Sequence, residues 1–271
     1  MARDKRKRSR SESGLPGWST MLSLFRISVT PSPHGATLAL MDRQVISKQR
    51  VANHGEVLTA KREVNAMLDL VKQETERIES RFLEQACGNG NFLTEILERK
   101  LRVVENRYGR SQIDYERYAV LAVSSLYGID ILPDNVSQCR ERLFGVFDEK
   151  YERLFPKTSK ARCRDAVRFI LARNIVWGDA LSMMTGESEQ KPIVFSEWSF
   201  IQGGLLKRRD FSFHGLIRHE RVRESLLLPE PKQKGTEQLA LFSDLGEDVF
   251  IPKPEKDYPP IHFLEVAHVQ Q

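Results

Sequence analysis

The chain has 271 residues, 40% of them hydrophobic, with 42 Lys and Arg against 37 Asp and Glu, a formal net charge of +5. That length accommodates one substantial α/β domain with extensions and a sizeable core. Residues 1–10 carry six basic side chains and one acidic, so the remainder is balanced, which argues against a body that grips many phosphates by itself. Three cysteines, Cys87, Cys139 and Cys163, with no Cys-x-x-Cys spacing, argue against a disulfide framework or a zinc site and fit a reducing cytoplasm. No apolar stretch approaches the roughly 18 residues of a membrane span, and the basic start lacks the apolar segment of a signal peptide.

Residues 1–40 are basic and then rich in Ser, Pro and Gly, apart from a short apolar run from Met21 to Val29. They read as a disordered extension, with a DNA-touching basic tail as the functional alternative. The stretch from Asn53 to Ala60 leads into a helix with Thr59 as its expected N-cap. Val64, Met67, Leu68 and Val71 give that helix one apolar face.

Residues 82–93, from Phe82 to Leu93, combine an apolar start, a small-residue turn with Gly88 and Gly90, and an apolar-periodic run. This is the pattern of strand, tight loop and helix. Glycines tolerate positive φ and expose backbone N–H groups, and a helix start attracts negative charge. The loop therefore suits a carboxylate, a phosphate or a ribose, although spacing alone equally suits a plain turn between a core strand and a core helix. No Lys-Ser or Lys-Thr follows the second glycine, so it is not a nucleoside triphosphate loop.

The next helix is expected to bury Leu93, Ile96, Leu97 and Leu101 and to present Glu95, Glu98, Arg99 and Lys100 to solvent. A further helix over 113–124 places Tyr115, Tyr118, Ala119, Ala122 and Val123 at helical spacing, for packing. Residues 125–130 read as a strand ending in Asp130. A helix capped by Asp134 comes next, with Val136, Cys139 and Leu143 inward. A carboxylate at such a strand end can accept both ribose hydroxyls of a nucleotide. Its separation from the glycine turn, roughly 40 residues, exceeds the roughly 20 of a minimal dinucleotide unit, and the intervening helix accounts for the excess. After an amphipathic helix over 164–172, residues 174–181 form a third strand ending in Gly178-Asp179.

Glu84-Gln85-Ala86-Cys87-Gly88-Asn89-Gly90-Asn91-Phe92 resembles the acidic-Pro-Ala-Cys-Gly-x-Gly-x-Phe motif of S-adenosylmethionine (SAM) dependent adenine-N6 DNA methyltransferases, with Gln85 at the proline position. These enzymes serve as modification subunits of restriction systems. His54-Gly55-Glu56-Val57-Leu58-Thr59-Ala60 is similar to the family's His-Gly-Glu-Val-Phe-Thr-Pro, with Leu58 and Ala60 as departures. The resemblance covers residues 45–185. It implies a Rossmann-like class I methyltransferase fold with a doubly wound, mostly parallel sheet, within a domain over 41–200 that precedes an irregular extension over 201–271.

The resemblance further implies SAM as cofactor, held by Thr59, Glu84, Ala86, Gly88, Gly90, Asn91, Phe92, Asp130, Ile131, Asp179 and Ala180, and no metal. In that setting Asp130 takes the ribose, Asp179 faces the adenine amine, and Ile131 and Ala180 wall the base. The family's Asn/Asp-Pro-Pro-Tyr/Phe tetrapeptide, which holds the flipped target base, is missing from the stretch after the third strand. Pro259-Pro260 comes after Tyr258, in the wrong order. The expectation is therefore a SAM-binding subunit of a split DNA adenine-N6 methyltransferase, its catalytic and target-recognition parts on a second polypeptide that also mediates DNA contact. The alternatives are a non-catalytic SAM-binding scaffold, or a methyltransferase acting on RNA or protein through a site near Ser196, Glu197 and Trp198. Lys207-Arg208-Arg209 suits either phosphate contact or a solvated loop, and Leu239-Ala240-Leu241-Phe242 a docking segment.

Overall fold

The computed structural model describes residues 22–23, 50, 52, 58–217 and 253–269. His54 to Val57, the basic tail and the segment from Leu239 to Phe242 lie outside the described residues. Elements in chain order are β1 (Leu22–Ser23), α1 (Lys61–Asp69), α2 (Lys72–Thr75), β2 (Phe82–Glu84), α3 (Asn91–Tyr108), α4 (Gln112–Ser124), β3 (Leu126–Asp130), α5 (Pro133–Leu154), α6 (Ala161–Asn174) and β4 (Ile175–Asp179). They continue with β5 (Met184–Thr185), β6 (Val194–Phe200), β7 (Leu205–Ser212), β8 (Lys256–Asp257) and β9 (Ile261–His262), and a 3-10 turn over Phe263–Glu265.

One sheet runs β1-β2-β3-β4-β5, parallel through β4 and closed by the antiparallel β5. The protein is thus an α/β chain with a mostly parallel sheet. Strands β2 and β3 are buried along their whole length, which is why their sequences read as continuous apolar runs rather than alternating ones. In the register Phe82↔Leu126 and Leu83↔Tyr127, alternate side chains point to opposite faces. Phe82, Leu126 and Ile175 share a core with the helices, including Leu93, Ile96 and Leu97 of α3, Ala119 and Val123 of α4, and Ile170 of α6. Leu83, Tyr127 and Ile129 point the other way, into a second core with Ile193, Phe195, Phe211 and Phe213.

The two faces of this sheet are covered differently. Strand order climbs without reversal from β1 to β4, and it is a reversal that carries crossover helices to the other side of a sheet. The long helices α3 to α6 accordingly contribute to one core, and the opposite face is covered by β6 and β7. Those strands form an antiparallel hairpin from Val194↔Ser212 to Phe200↔Leu206, extended by β8 and β9. The hairpin straddles the boundary expected after residue 200. Of residues 1–40, Leu22 and Ser23 are described, and they pair with Phe82 and Leu83 as a sheet strand rather than disordered chain.

Other expectations are corrected by what buries the charges. Lys100 is fully buried and Arg99 nearly so, so they do not share the solvated face of α3. Lys100 Nζ donates to Ile78 O at 3.1 Å, Ser125 Oγ at 2.6 Å and Ser80 O, tying α3 to the entrances of β2 and β3. Lys207, Arg208 and Arg209 lie in β7, not a loop, and pair with Asp257, Asp210 and Glu197. Thr59 does not cap α1. The N-cap position is Ala60, without a side-chain cap. Asp134 falls in the first turn of α5 after Pro133, with Leu132 at the N-cap, and meets Arg50.

Candidate functional site

The carboxyl ends of β2, β3 and β4 lie side by side, and each ends in an acid: Glu84, Asp130 and Asp179. Between β2 and α3 the chain turns through Gly88 at φ +51° and Gly90 at φ +88°. The turn is pinned to the neighbouring strand. Cys87 N–H donates to Ile129 O at 2.9 Å, and Gly88 N–H to Asp130 Oδ2 at 2.7 Å. A side chain at Gly90 has no room, because its Cβ would stand 2.6 Å from Cys139 Sγ of α5. Gly128 on β3 is needed for close approach as well, since a Cβ there would meet Cys87 Sγ at 3.0 Å and Leu93 Cδ1 at 3.1 Å.

Asp130 is 7% exposed, and its carboxylate already holds three donors. Oδ1 accepts Leu132 N–H at 2.9 Å and Asn135 Nδ2 at 3.1 Å, and Oδ2 accepts Gly88 N–H. A carboxylate offers about four lone-pair positions, so with three of them engaged Asp130 serves as the clamp between the glycine turn, the β3 exit and α5. Glu84 is 3% exposed and its Oε2 has no hydrogen-bond partner. Burial, reinforced by Cys139 and Asp130, pushes its carboxyl well above the usual range. The Cys87 thiol is pushed up by its hydrogen bond to Cys139 and by burial, which leaves its sulfur a packing atom under the turn rather than a nucleophile.

Asp179 is more open. Its carboxylate accepts Leu181 N–H at 2.9 Å and Ser182 N–H at 3.3 Å, and the first of these holds it below the usual carboxylate range. Ile131 is 57% exposed at the β3 tip, and Trp177 Nε1 donates to its carbonyl at 3.0 Å. Ala180 is half-buried and packs on the hairpin core. Ala86 is exposed on the loop, and Phe92 is buried beneath it.

A cavity of about 470 Å³ opens beside the turn, between the start of α1, the first turns of α3 and the middle of α5. Thr59, Lys61, Asn91, Glu95, Glu98 and Arg142 line it. Asn91 Nδ2 donates to Thr59 O at 2.9 Å, which fastens the α1 approach to the α3 start. The expected site residues thus fall into two groups: Thr59 and Asn91 in the cavity, and Glu84, Asp130 and Asp179 at the strand tips outside its lining. The glycine turn separates and joins them.

Sequence reasoning missed Asn135, which reaches Asp130 from α5, Arg142, which reaches the turn, and the bonds of Lys100 at the entrances of β2 and β3; it read Cys139 as inward but not as the neighbour of Gly90. Their helical spacing is visible in the sequence, but a polar residue on a charged helix carries no mark of an inward bond. The region near Ser196, Glu197 and Trp198 is interior. Ser196 Oγ donates to Asp210 at 2.7 Å, Glu197 meets Arg81 at 2.6 Å, and Trp198 Nε1 donates to Asn174 at 3.1 Å. All three are below 9% exposed. Tyr258, beside Pro259-Pro260, is also buried and donates to Asp210 at 3.1 Å.

Compared with protein-family models, with curated proteins and with solved structures, the chain matches none. Among the described residues no helix is long and apolar enough to cross a membrane.

Proposed function

We propose that this chain is a SAM-binding subunit of a split DNA adenine-N6 methyltransferase of a restriction-modification or phage-defence system. The observation that carries the reading is the 2.7 Å bond from Gly88 N–H to Asp130 Oδ2. It couples the loop that resembles the family's glycine motif to the acidic tip that resembles its second motif, beside a third tip at Asp179.

The residues present fit such a cofactor. Two positive-φ glycines leave the loop backbone open, a buried carboxyl with an unpaired oxygen, Glu84, sits at its base, and one Asp130 lone-pair position remains. Glu84, Gly88, Gly90 and Asn91 would hold the amino-acid end, Asp130 the ribose, and Asp179, Ile131 and Ala180 the base. SAM supplies an electrophilic methyl group. The chain's own contribution is orientation of the donor, so proximity is the catalytic effect it provides.

The split form of the reading rests on the chain beyond β4. The family's catalytic tetrapeptide is absent from the sequence, and β6 joins the antiparallel second sheet instead of the parallel one. Purified chain with labelled SAM and DNA is expected to bind SAM without methylating DNA, and to methylate once a co-encoded polypeptide bearing Asn-Pro-Pro-Tyr is added. Methylation by the chain alone contradicts the split. SAM binding with no transfer in the presence of every co-encoded partner favours the non-catalytic scaffold, to which Gln85 and Ala60 at family proline positions already lean.

A further inference from the structure

Helix α5 sends three side chains, Asn135, Cys139 and Arg142, toward one target. Their spacing of four and then three residues puts them on one helix face. Asn135 Nδ2 holds Asp130 Oδ1 at 3.1 Å. Cys139 Sγ lies against Gly90, closer to the position of a hypothetical Cβ there than any real side chain would allow. Arg142 Nη1 reaches across the outside of the turn to Asn89 O, Asn89 Oδ1 and Asn91 Oδ1, each at 2.8 Å. The turn is therefore gripped on both sides, from within by Asp130 through Gly88 N–H and from outside by Arg142 through Asn89 and Asn91.

From this juxtaposition we infer that Arg142 is a positioning residue for the glycine turn, holding Gly88 to Asn91 in the conformation that receives ligand. Each bond to a charged donor is stronger than a neutral one, and three of them converge on a turn of four residues whose two glycines give it little conformational restraint of its own. An ordered loop binds without the entropy of ordering it on arrival. The Arg142 side chain is exposed and on the surface of α5, so this bracing is separable from the stability of the core. One nitrogen serves all three acceptors, so a lysine ammonium, a point donor with three N–H groups, can replace it where a truncated side chain cannot.

The inference rests on the proposed SAM reading for its functional consequence but not for its structural one, and the test keeps them apart. Backbone amide exchange of Gly88 to Asn91 is measured in the ligand-free protein for wild type, Arg142→Ala and Arg142→Lys, alongside the melting temperature and calorimetric titration with SAM. Faster exchange confined to the turn in Arg142→Ala, restored in Arg142→Lys, with melting temperature held and SAM affinity lowered at least tenfold in the alanine variant, is the expected result. Unchanged turn exchange in Arg142→Ala overturns the bracing role. Faster turn exchange with undiminished SAM affinity overturns its functional consequence. A wild-type protein that binds no SAM overturns the SAM reading, and the exchange measurement still decides the brace.

Discussion

Gly90 shows how a single backbone position can carry both fold and site. It holds φ +88°, a region that costs a non-glycine residue about 1–3 kcal/mol, and any Cβ collides with Cys139 Sγ. Gly90→Ala is expected to lower stability by at least about 1 kcal/mol in a denaturant titration and to lose ligand binding more than stability, because the turn must move away from α5. Asp130 behaves differently. Alanine there removes the acceptor of Gly88, Leu132 and Asn135 together, so Asp130→Ala is expected to destabilise by roughly 2–4 kcal/mol as well as to weaken binding. A melt beside the binding titration separates the two effects. Asp179, whose bonds stay within its own turn, is the cleaner probe of ligand contact.

Among the elements, α3 contains the chain's most consequential buried charge. Burial lowers Lys100 from 10.5 to about 7. Between those values the unfolded chain binds more protons than the folded one, so stability rises with pH across the window and is lost as pH falls toward 7. Denaturant titrations at pH 7.5 and 9.5 are expected to show the wild type gaining stability at the higher pH, by up to about 1.4 kcal/mol per unit, and Lys100→Met lacking that gain. The methionine variant is also expected to be less stable at pH 9.5, because Ile78 O, Ser80 O and Ser125 Oγ lose their donor. The β6–β7 hairpin makes a prediction of its own. A chain ending after Phe200 removes Phe211 and Phe213 from the core that covers Leu83, Tyr127 and Ile129. Size-exclusion chromatography and thermal melts are expected to show aggregation and no cooperative transition, whereas a soluble cooperative fragment would assign the hairpin a peripheral role.

For the whole molecule, the half of the sheet that carries the proposed site was readable in the sequence because β2 and β3 are short buried runs and β4 a short apolar one, each followed by Gly or Asp turn signals. Helix stripes such as Leu93, Ile96, Leu97 and Leu101 were readable for the same reason, all fully buried. What covers the second face was not. In β7 Phe211 enters the second core and Leu206 the first, and between them lie Lys207, Arg208 and Arg209, whose partners Asp257, Asp210 and Glu197 are set largely by strand pairing, which a local pattern does not reveal. The same limit hid β1, two residues joined to β2 from far upstream, the inward turn of Lys100 and the reach of Arg142 across the outside of the glycine turn. The site was legible as a set of strand tips but not as a braced turn, since the brace comes from the solvent-like face of α5.

The account depends on the strand tips and the glycine turn forming one receptor for a methyl donor, and calorimetric titration of SAM into wild type and Asp179→Ala addresses this most directly. The account predicts saturable binding to one site per chain in the wild type, and an affinity at least fivefold lower in the variant at an unchanged melting temperature. Absence of binding heat in the wild type, or equal affinity in both proteins, would contradict it.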